Sequence, residues 1–203
     1  MNIPFQTPLC ELAYKYGTDK CPQLKHAYTP VYYELLLPHQ NSFRKILEVG
    51  IGRERPNRHQ RELTTMPKVL PKLQRGASLY MWRDFFPLAQ VYGADILSET
   101  QFVADRIETH LCDERNKNDI VKLIDAIGTD IDLVIDDASH RVEDQIFLAQ
   151  HMLPLLDKKV MYIIEDVTHS RKISSALSGM CTIQVIDVPR TWHGGMLCKI
   201  QKK

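Results

Sequence analysis

From residue 43 onward, apolar runs of strand length alternate with longer helix-like segments, and this alternation limits the possible folds more than any other feature of the chain. Strands are expected at Lys45–Val49, Gln90–Ala94, Ile107–Leu111, Leu133–Ile135, Val160–Ile164, Ile183–Val188 and Met196–Ile200, with helices at Ser78–Phe86, Glu114–Ile127 and Glu143–Leu156. Such alternation predicts a parallel sheet with helices on both faces. Short apolar strands such as Lys45–Val49 suit central positions covered from both sides. The last two strands are separated only by Pro189–Gly195, a link that can join only antiparallel neighbours. The expected class is therefore α/β, a mostly parallel sheet closing in a C-terminal antiparallel hairpin. A chain of 203 residues is a natural size for one such domain over 1–203.

Residues 1–42 read as a helical lead-in, with apolar segments at Leu9–Tyr16 and Pro30–Leu37 joined by Gly17-Thr18-Asp19-Lys20. Thr29 before Pro30 is a good helix start, a capping hydroxyl followed by proline at the first helical position. A net charge of +1 gives no global field for nucleic acid or membrane. No apolar run reaches bilayer length, and the N-terminus lacks a signal-peptide pattern. The five cysteines form no C-x-x-C pair, so reduced, buried thiols in a cytoplasmic protein are expected rather than disulfides or structural zinc.

The first strand runs into Glu48-Val49-Gly50-Ile51-Gly52. Glycines there let the backbone turn sharply and approach a ligand. Asp95 ends the second strand, where an acid can accept hydrogen bonds from both ribose hydroxyls of a nucleoside; it could also simply cap a loop. Asp113, after the third strand, could lie near an adenine by the same logic, or stand in a solvated turn.

Two further acidic pairs follow neighbouring strands: Asp136-Asp137, with Ser139-His140 close behind, and Glu165-Asp166. In open α/β sheets ligands sit at the carboxyl ends of the strands. Four carboxylates converging there would raise one another's pKa unless a cation neutralised them. Oxygen ligands without thiolate suit Mg²⁺, Mn²⁺ or Ca²⁺ rather than zinc. A histidine beside them is placed to take a proton. Helix capping by the aspartates and a structural hydrogen bond by His140 are the competing explanations.

Several of these stretches resemble a bacterial sugar O-methyltransferase family. They are Gly17-Thr18-Asp19-Lys20, His26, Tyr28-Thr29, Tyr32-Tyr33-Glu34, Ile46 to Gly52, Gly76 to Trp82, Ile135 to His140 and Ile164-Glu165-Asp166. The family is that of the metal-dependent enzymes methylating macrolide deoxysugars, and it is similar to the cephalosporin-biosynthesis methyltransferases. The resemblance implies a Rossmann-like class I methyltransferase fold, S-adenosyl-L-methionine as cofactor, and Mg²⁺ or Mn²⁺ held by Asp137, Glu165 and Asp166. It implies His140 as general base, with Asp137 also catalytic. It implies cofactor contacts from Thr18, Glu48, Gly50, Gly52, Ser78, Asp95, Asp113 and Asp136. Tyr16, Asp19 and Trp82 would lie over cofactor or substrate; apart from the family, Trp82 and Met81 read as helix core.

Two departures stand out. Arg53-Glu54 follows the G-x-G where the family often has another glycine, and Arg53–Arg75 carries seven Lys/Arg against two Glu, with prolines at 56, 67 and 71. Loops of this length are usually functional or disordered. This one is read either as a basic lid closing on an anionic, nucleotide-linked or phosphorylated sugar, or as a solvated loop. Acceptor selection then falls to it, to the lead-in helices, or to a neighbouring subunit of a homo-oligomer. The other functions weighed are methylation of a catechol or other natural product, and a non-catalytic S-adenosylmethionine-binding module. Nucleic-acid methylation is disfavoured because no N-P-P-Y-type tetrapeptide follows the fourth strand.

Overall fold

The structure is a computed structural model that describes residues 6–52, 75–188 and 196–202. The basic segment 53–74 and the link 189–195 lie outside the described residues.

The strands are β1 (Lys45–Val49), β2 (Gln90–Asp95), β3 (Val103–Ala104), β4 (Ile107–Leu111), β5 (Leu133–Asp136), β6 (Met161–Ile164), β7 (Cys181–Asp187) and β8 (Met196–Lys202). They form one sheet in the order β3-β4-β2-β1-β5-β6-β8-β7. β4, β2, β1, β5 and β6 are mutually parallel, and β8 is antiparallel to both β6 and β7. The chain runs outward from β1 in one direction to β2 and β4, then crosses back to β5 and β6. The crevice at the carboxyl ends of β1 and β5 is therefore the topological switch point. Each expected strand is present to within two residues at either end. The two-residue β3, antiparallel to β4, is too short to leave a periodic signature.

The α-helices are α1 (Pro8–Tyr16), α2 (Tyr28–Leu36), α3 (Ala77–Phe85), α4 (Lys117–Ile127), α5 (Val142–Met152) and α6 (Ser170–Leu177). Helix α6 escapes a search for apolar runs because only Ile173 and Leu177, four residues apart on one face, are buried. The start expected at Thr29-Pro30 is corrected. Helix α2 begins at Tyr28 after Ala27, with no side-chain cap, while the Thr29 hydroxyl is 3.1 Å from Cys10 Sγ in the α1–α2 contact. The capping arrangement occurs instead at α1, where Thr7 accepts from the Cys10 amide ahead of Pro8.

Strand alternation sends successive residues to opposite cores. Ile46, Ile135 and Ile163 pack beneath α1, α2 and α3 with Leu9, Tyr32, Trp82 and Phe85. Leu47, Val134, Tyr162 and Ile164 pack on the other face with Ile120, Leu148, Met152 and Ile173 of α4, α5 and α6. The two-residue period continues past the strand ends, and it decides where each acid of the site goes.

Candidate active site

A cleft of about 520 Å³ opens at the carboxyl ends of β1, β2, β5 and β6. Its lining includes Thr18, Asp19, Lys20, Gly50, Gly52, Ser78, Asp95, Asp137, His140, Glu165 and Asp166. Sequence reasoning had singled out all of these except Lys20 as cleft residues.

At one end β1 turns through Gly50, whose φ is +87°. A Cβ there would come within 2.3 Å of the Asp137 carbonyl oxygen and 2.5 Å of Ala138 Cα. Only glycine lets the β1 and β5 loops pass so closely. Asp95 secures the turn: Oδ2 accepts from the amides of Ile51 and Gly52 at 3.1 and 3.3 Å, and Oδ1 accepts from Leu97 at 3.0 Å.

At the other end, alternation aims Glu48, Asp137 and Glu165 toward the helix α1–α3 side, where all three meet one ammonium. Lys20 Nζ lies 3.2 Å from Glu48 Oε1, 2.5 Å from Asp137 Oδ2 and 2.8 Å from Glu165 Oε2. Lys20 is brought there by the C-terminus of α1. Gly17, in the left-handed region, and Thr18 both donate to the Ala13 carbonyl, and the reversed chain inserts Lys20 between helix and sheet. The lysine is only 2% exposed. Burial alone would pull its pKa down, but the carboxylates of Asp137, Glu165 and Glu48 outweigh this and hold it well above the ordinary range. Burial pushes Glu48 up despite Lys20. Burial, then Asp137, drives Glu165 well above the usual carboxylate range, and burial also raises Asp137. One ammonium cannot neutralise three buried carboxylates, so the cluster retains a demand for a proton or a further cation.

Five expected contacts are placed differently. Glu48 is fully buried behind the cleft wall, accepting from Trp82 Nε1 at 2.9 Å, so it faces Lys20 and Trp82 rather than the opening. Trp82 and Met81 are core residues, with Trp82 edge-on to Tyr32 at 5.1 Å. Asp136 follows Val134 to the opposite face, beside Tyr162, where burial pushes its pKa up to about 8. Asp113 is turned away by a two-pronged pairing with Arg115, at 2.9 and 3.1 Å, whose hydrogen bonds hold its pKa below the usual range. Its neighbours Glu114 and Arg115 line the cleft instead. Tyr16 hydrogen-bonds Asp84 outside the cleft lining.

Asp166 departs from strand alternation because its φ is +50°. This returns the carboxylate to the cleft mouth, where Tyr28 donates its hydroxyl to Oδ1 and receives the Asp166 amide. Burial opposes ionisation of Asp166, but the Tyr28 hydrogen bond, with His26 and His140 nearby, holds its pKa below the ordinary value. His140, at φ +59°, places Nδ1 3.8 Å from Asp137 Oδ1 and 3.7 Å from Asp166 Oδ2. These separations are too long for hydrogen bonds but short enough for a shared ion. Among the described residues, ligand atoms of Asp137, His140 and Asp166 all lie within 4.8 Å of one another. The two carboxylates suit Mg²⁺ or Mn²⁺, and the imidazole beside them would also suit softer first-row ions. Of the expected metal set, Asp137 and Asp166 stand in this group, while Glu165 lines the same cleft and accepts from Lys20 at 2.8 Å and from the Tyr32 hydroxyl at 2.6 Å.

The sheet order, the antiparallel β8 and the cleft at the switch point define the class I methyltransferase fold. In sequence the chain resembles curated O-methyltransferases. It is 29% identical over 162 residues to the 8-demethyl-8-alpha-L-rhamnosyl tetracenomycin-C 2'-O-methyltransferase of Streptomyces olivaceus, covering 80% of this chain and 38% of that protein. It is 30% identical over 159 residues to the mycinamicin VI 2''-O-methyltransferase of Micromonospora griseorubida, covering 78% and 36% respectively. The chain therefore spans well under half the length of the curated relatives it matches. Among solved structures it is similar to the MycE methyltransferase in complex with Mg, SAH and mycinamycin VI. That match has a TM-score of 0.69 at 22% identity, over 97% of this chain and 55% of that one. TrmN from Thermus thermophilus matches with a TM-score of 0.57 at 12% identity, over 86% of this chain and 48% of that one. No family model matches the chain.

Proposed function

We propose that this protein is an S-adenosylmethionine-dependent, divalent-metal-assisted O-methyltransferase acting on a hydroxyl of a sugar-containing small molecule. The observation that carries this is the joining, in one cleft, of a glycine turn secured by Asp95 with the acid–imidazole group of Asp137, His140 and Asp166. The rhamnosyl and mycinamicin acceptors in the names of the relatives support a sugar as substrate class.

Asp95 accepts three backbone N–H groups, which keep it oriented and leave about one of its four lone-pair sites for a ribose hydroxyl. Gly50 and Gly52 let the backbone approach the cofactor, with Thr18 and Ser78 in the same cleft lining. Glu114, rather than Asp113, faces the adenine end. A divalent ion held by Asp137 and Asp166 would polarise the acceptor hydroxyl and lower its pKa. In the transfer, the acceptor oxygen forms its bond to the methyl carbon as the sulfur–methyl bond breaks, and the hydroxyl proton leaves to His140. The site's contribution is to hold oxygen and sulfonium in line. Lys20 and Tyr32 keep Glu165 oriented behind this centre. An anionic acceptor is proposed to suit the seven Lys/Arg of the segment 53–75, of which 53–74 lie outside the described residues, and a second copy of the chain to complete the site. The single unit 1–203 is proposed to work in the cytoplasm, a reading supported by five buried cysteines, none joined in a disulfide among the described residues. Among the described residues no helix is long and apolar enough to cross a membrane.

A second reading is favoured by the grouping of His140 with the two aspartates: His140 is a metal ligand and not the base. Calorimetric titration with Mn²⁺ separates the two. A base variant, His140→Ala, keeps metal affinity and loses turnover, whereas a ligand variant loses both. The whole proposal is tested by S-adenosylmethionine titration, then methyl-transfer assays on rhamnosides and macrolide sugars with and without Mg²⁺. Asp137→Ala should abolish turnover with cofactor affinity nearly kept, and Asp95→Ala should weaken cofactor binding first. A chain that fails to bind S-adenosylmethionine overturns it.

A further inference from the structure

His26 lies in the loop between α1 and α2 and lines the cleft at its acidic end. It is only 7% exposed, yet neither ring nitrogen has a hydrogen-bond partner among the described residues. The ring is firmly held. Its backbone amide donates to the Asp19 carbonyl at 2.8 Å, and the imidazole stacks on Tyr28 at 5.0 Å with the planes 16° apart. Tyr28 in turn grips Asp166. Buried polar atoms are nearly always paired, and an unpaired one lowers stability, so two on one rigid ring that borders a cleft mark a place for a ligand.

We propose that His26 is a specificity-determining residue of the acceptor subsite, its ring hydrogen-bonding a sugar hydroxyl adjacent to the one that is methylated. This rests on the methyltransferase reading above. A neutral imidazole offers one N–H and one lone pair, and a hydroxyl is likewise both donor and acceptor. The ionised carboxylates around it only accept, and Lys20 only donates. The stack on Tyr28, which itself bonds Asp166, sets the ring on the Asp166 side of the cleft, where the neighbour of a hydroxyl held at Asp166 and Asp137 would meet it. A site built to bond a hydroxyl rejects the analogue lacking it, because its own buried groups are then left unpaired.

The test uses the full chain with S-adenosylmethionine, Mg²⁺, methyl α-L-rhamnopyranoside and the singly deoxygenated forms of that glycoside. His26→Phe keeps the stack on Tyr28 and removes both nitrogens. It should raise the acceptor KM roughly tenfold, equivalent to about 1.4 kcal/mol, with a smaller effect on kcat. It should also erase the discrimination of the unmodified protein against one deoxy form. Cofactor affinity should not change, and the melting temperature should hold or rise because no hydrogen bond within the protein is lost. His26→Asn should restore part of the discrimination. Unchanged KM and discrimination in His26→Phe, or equal loss of cofactor and acceptor binding, overturns the role of His26 alone. An unmodified chain that binds S-adenosylmethionine but neither binds nor methylates the glycoside overturns the acceptor class and the role of His26 together.

Discussion

Gly50 and Gly52 both have left-handed backbone, at φ +87° and +68°, but their surroundings differ, and alanine at each separates two physical costs. A non-glycine residue in this region costs ~1–2 kcal/mol from its own backbone. At Gly52 nothing among the described residues stands within 4 Å of the new methyl group, so the backbone term is the penalty expected there. At Gly50 the methyl meets the Asp137 carbonyl oxygen at 2.3 Å and Ala138 Cα at 2.5 Å. Backbone must move by more than an ångström, and overpacking of that kind adds ~1–3 kcal/mol. Gly50→Ala should therefore cost ~2–5 kcal/mol against ~1–2 for Gly52→Ala. For a chain of this size that means melting temperatures lower by ~4–20 °C and ~2–8 °C respectively. Urea unfolding with an unchanged m-value would confirm that the native state alone is affected. Because the displaced atoms belong to Asp137 and Ala138, Gly50→Ala should also weaken Mn²⁺ binding in calorimetry, while Gly52→Ala should not. Equal destabilisation by the two variants, or a harmless Gly50→Ala, would refute the close-approach argument.

Three other outcomes follow from the buried charges. Lys20→Met leaves Glu48, Asp137 and Glu165 without their ammonium and should cost ~3–5 kcal/mol; the loss should be partly recovered by Mg²⁺ or by acidification, each read as a melting-temperature gain larger than in the unmodified protein. Asp136, with its folded pKa raised to about 8, binds a proton that the unfolded chain has released, so its share of stability is full below pH ~4 and is lost as pH rises to about 8. Asp136→Asn should flatten that decline by up to ~1.4 kcal/mol per pH unit across the window, seen in urea midpoints against pH. Trp82→Phe removes the donor to Glu48 Oε2 and should cost ~1–3 kcal/mol, less in a Glu48→Gln background; additive losses in the double-mutant cycle would show that the bond is not coupled.

Much of the site was legible because the chemistry is written in adjacent residues at strand ends. Glu48 to Gly52, Asp95, Asp137-to-His140 and Glu165-Asp166 all fall where an alternating α/β pattern must put its crevice. The same two-residue period could have told which face each acid takes: Glu48, Asp137 and Glu165 with the lead-in helices, Asp136 with Tyr162. What this missed was Lys20, since no local signal shows that a lysine after a helix C-cap will be buried among three acids contributed from 28 to 145 residues away. Asp113 and its neighbour Glu114 are likewise indistinguishable until Arg115 is seen to claim the first.

The sequence by itself determined the layers and the strand ends on which function is built, because periodicity, glycine and proline act within a few residues. Only the tertiary structure decided which acids face the cleft, which are neutralised internally, and that β8 rather than β7 lies against β6. Those outcomes depend on Coulomb and packing terms between segments far apart in the chain, which exist only once the sheet has brought them together.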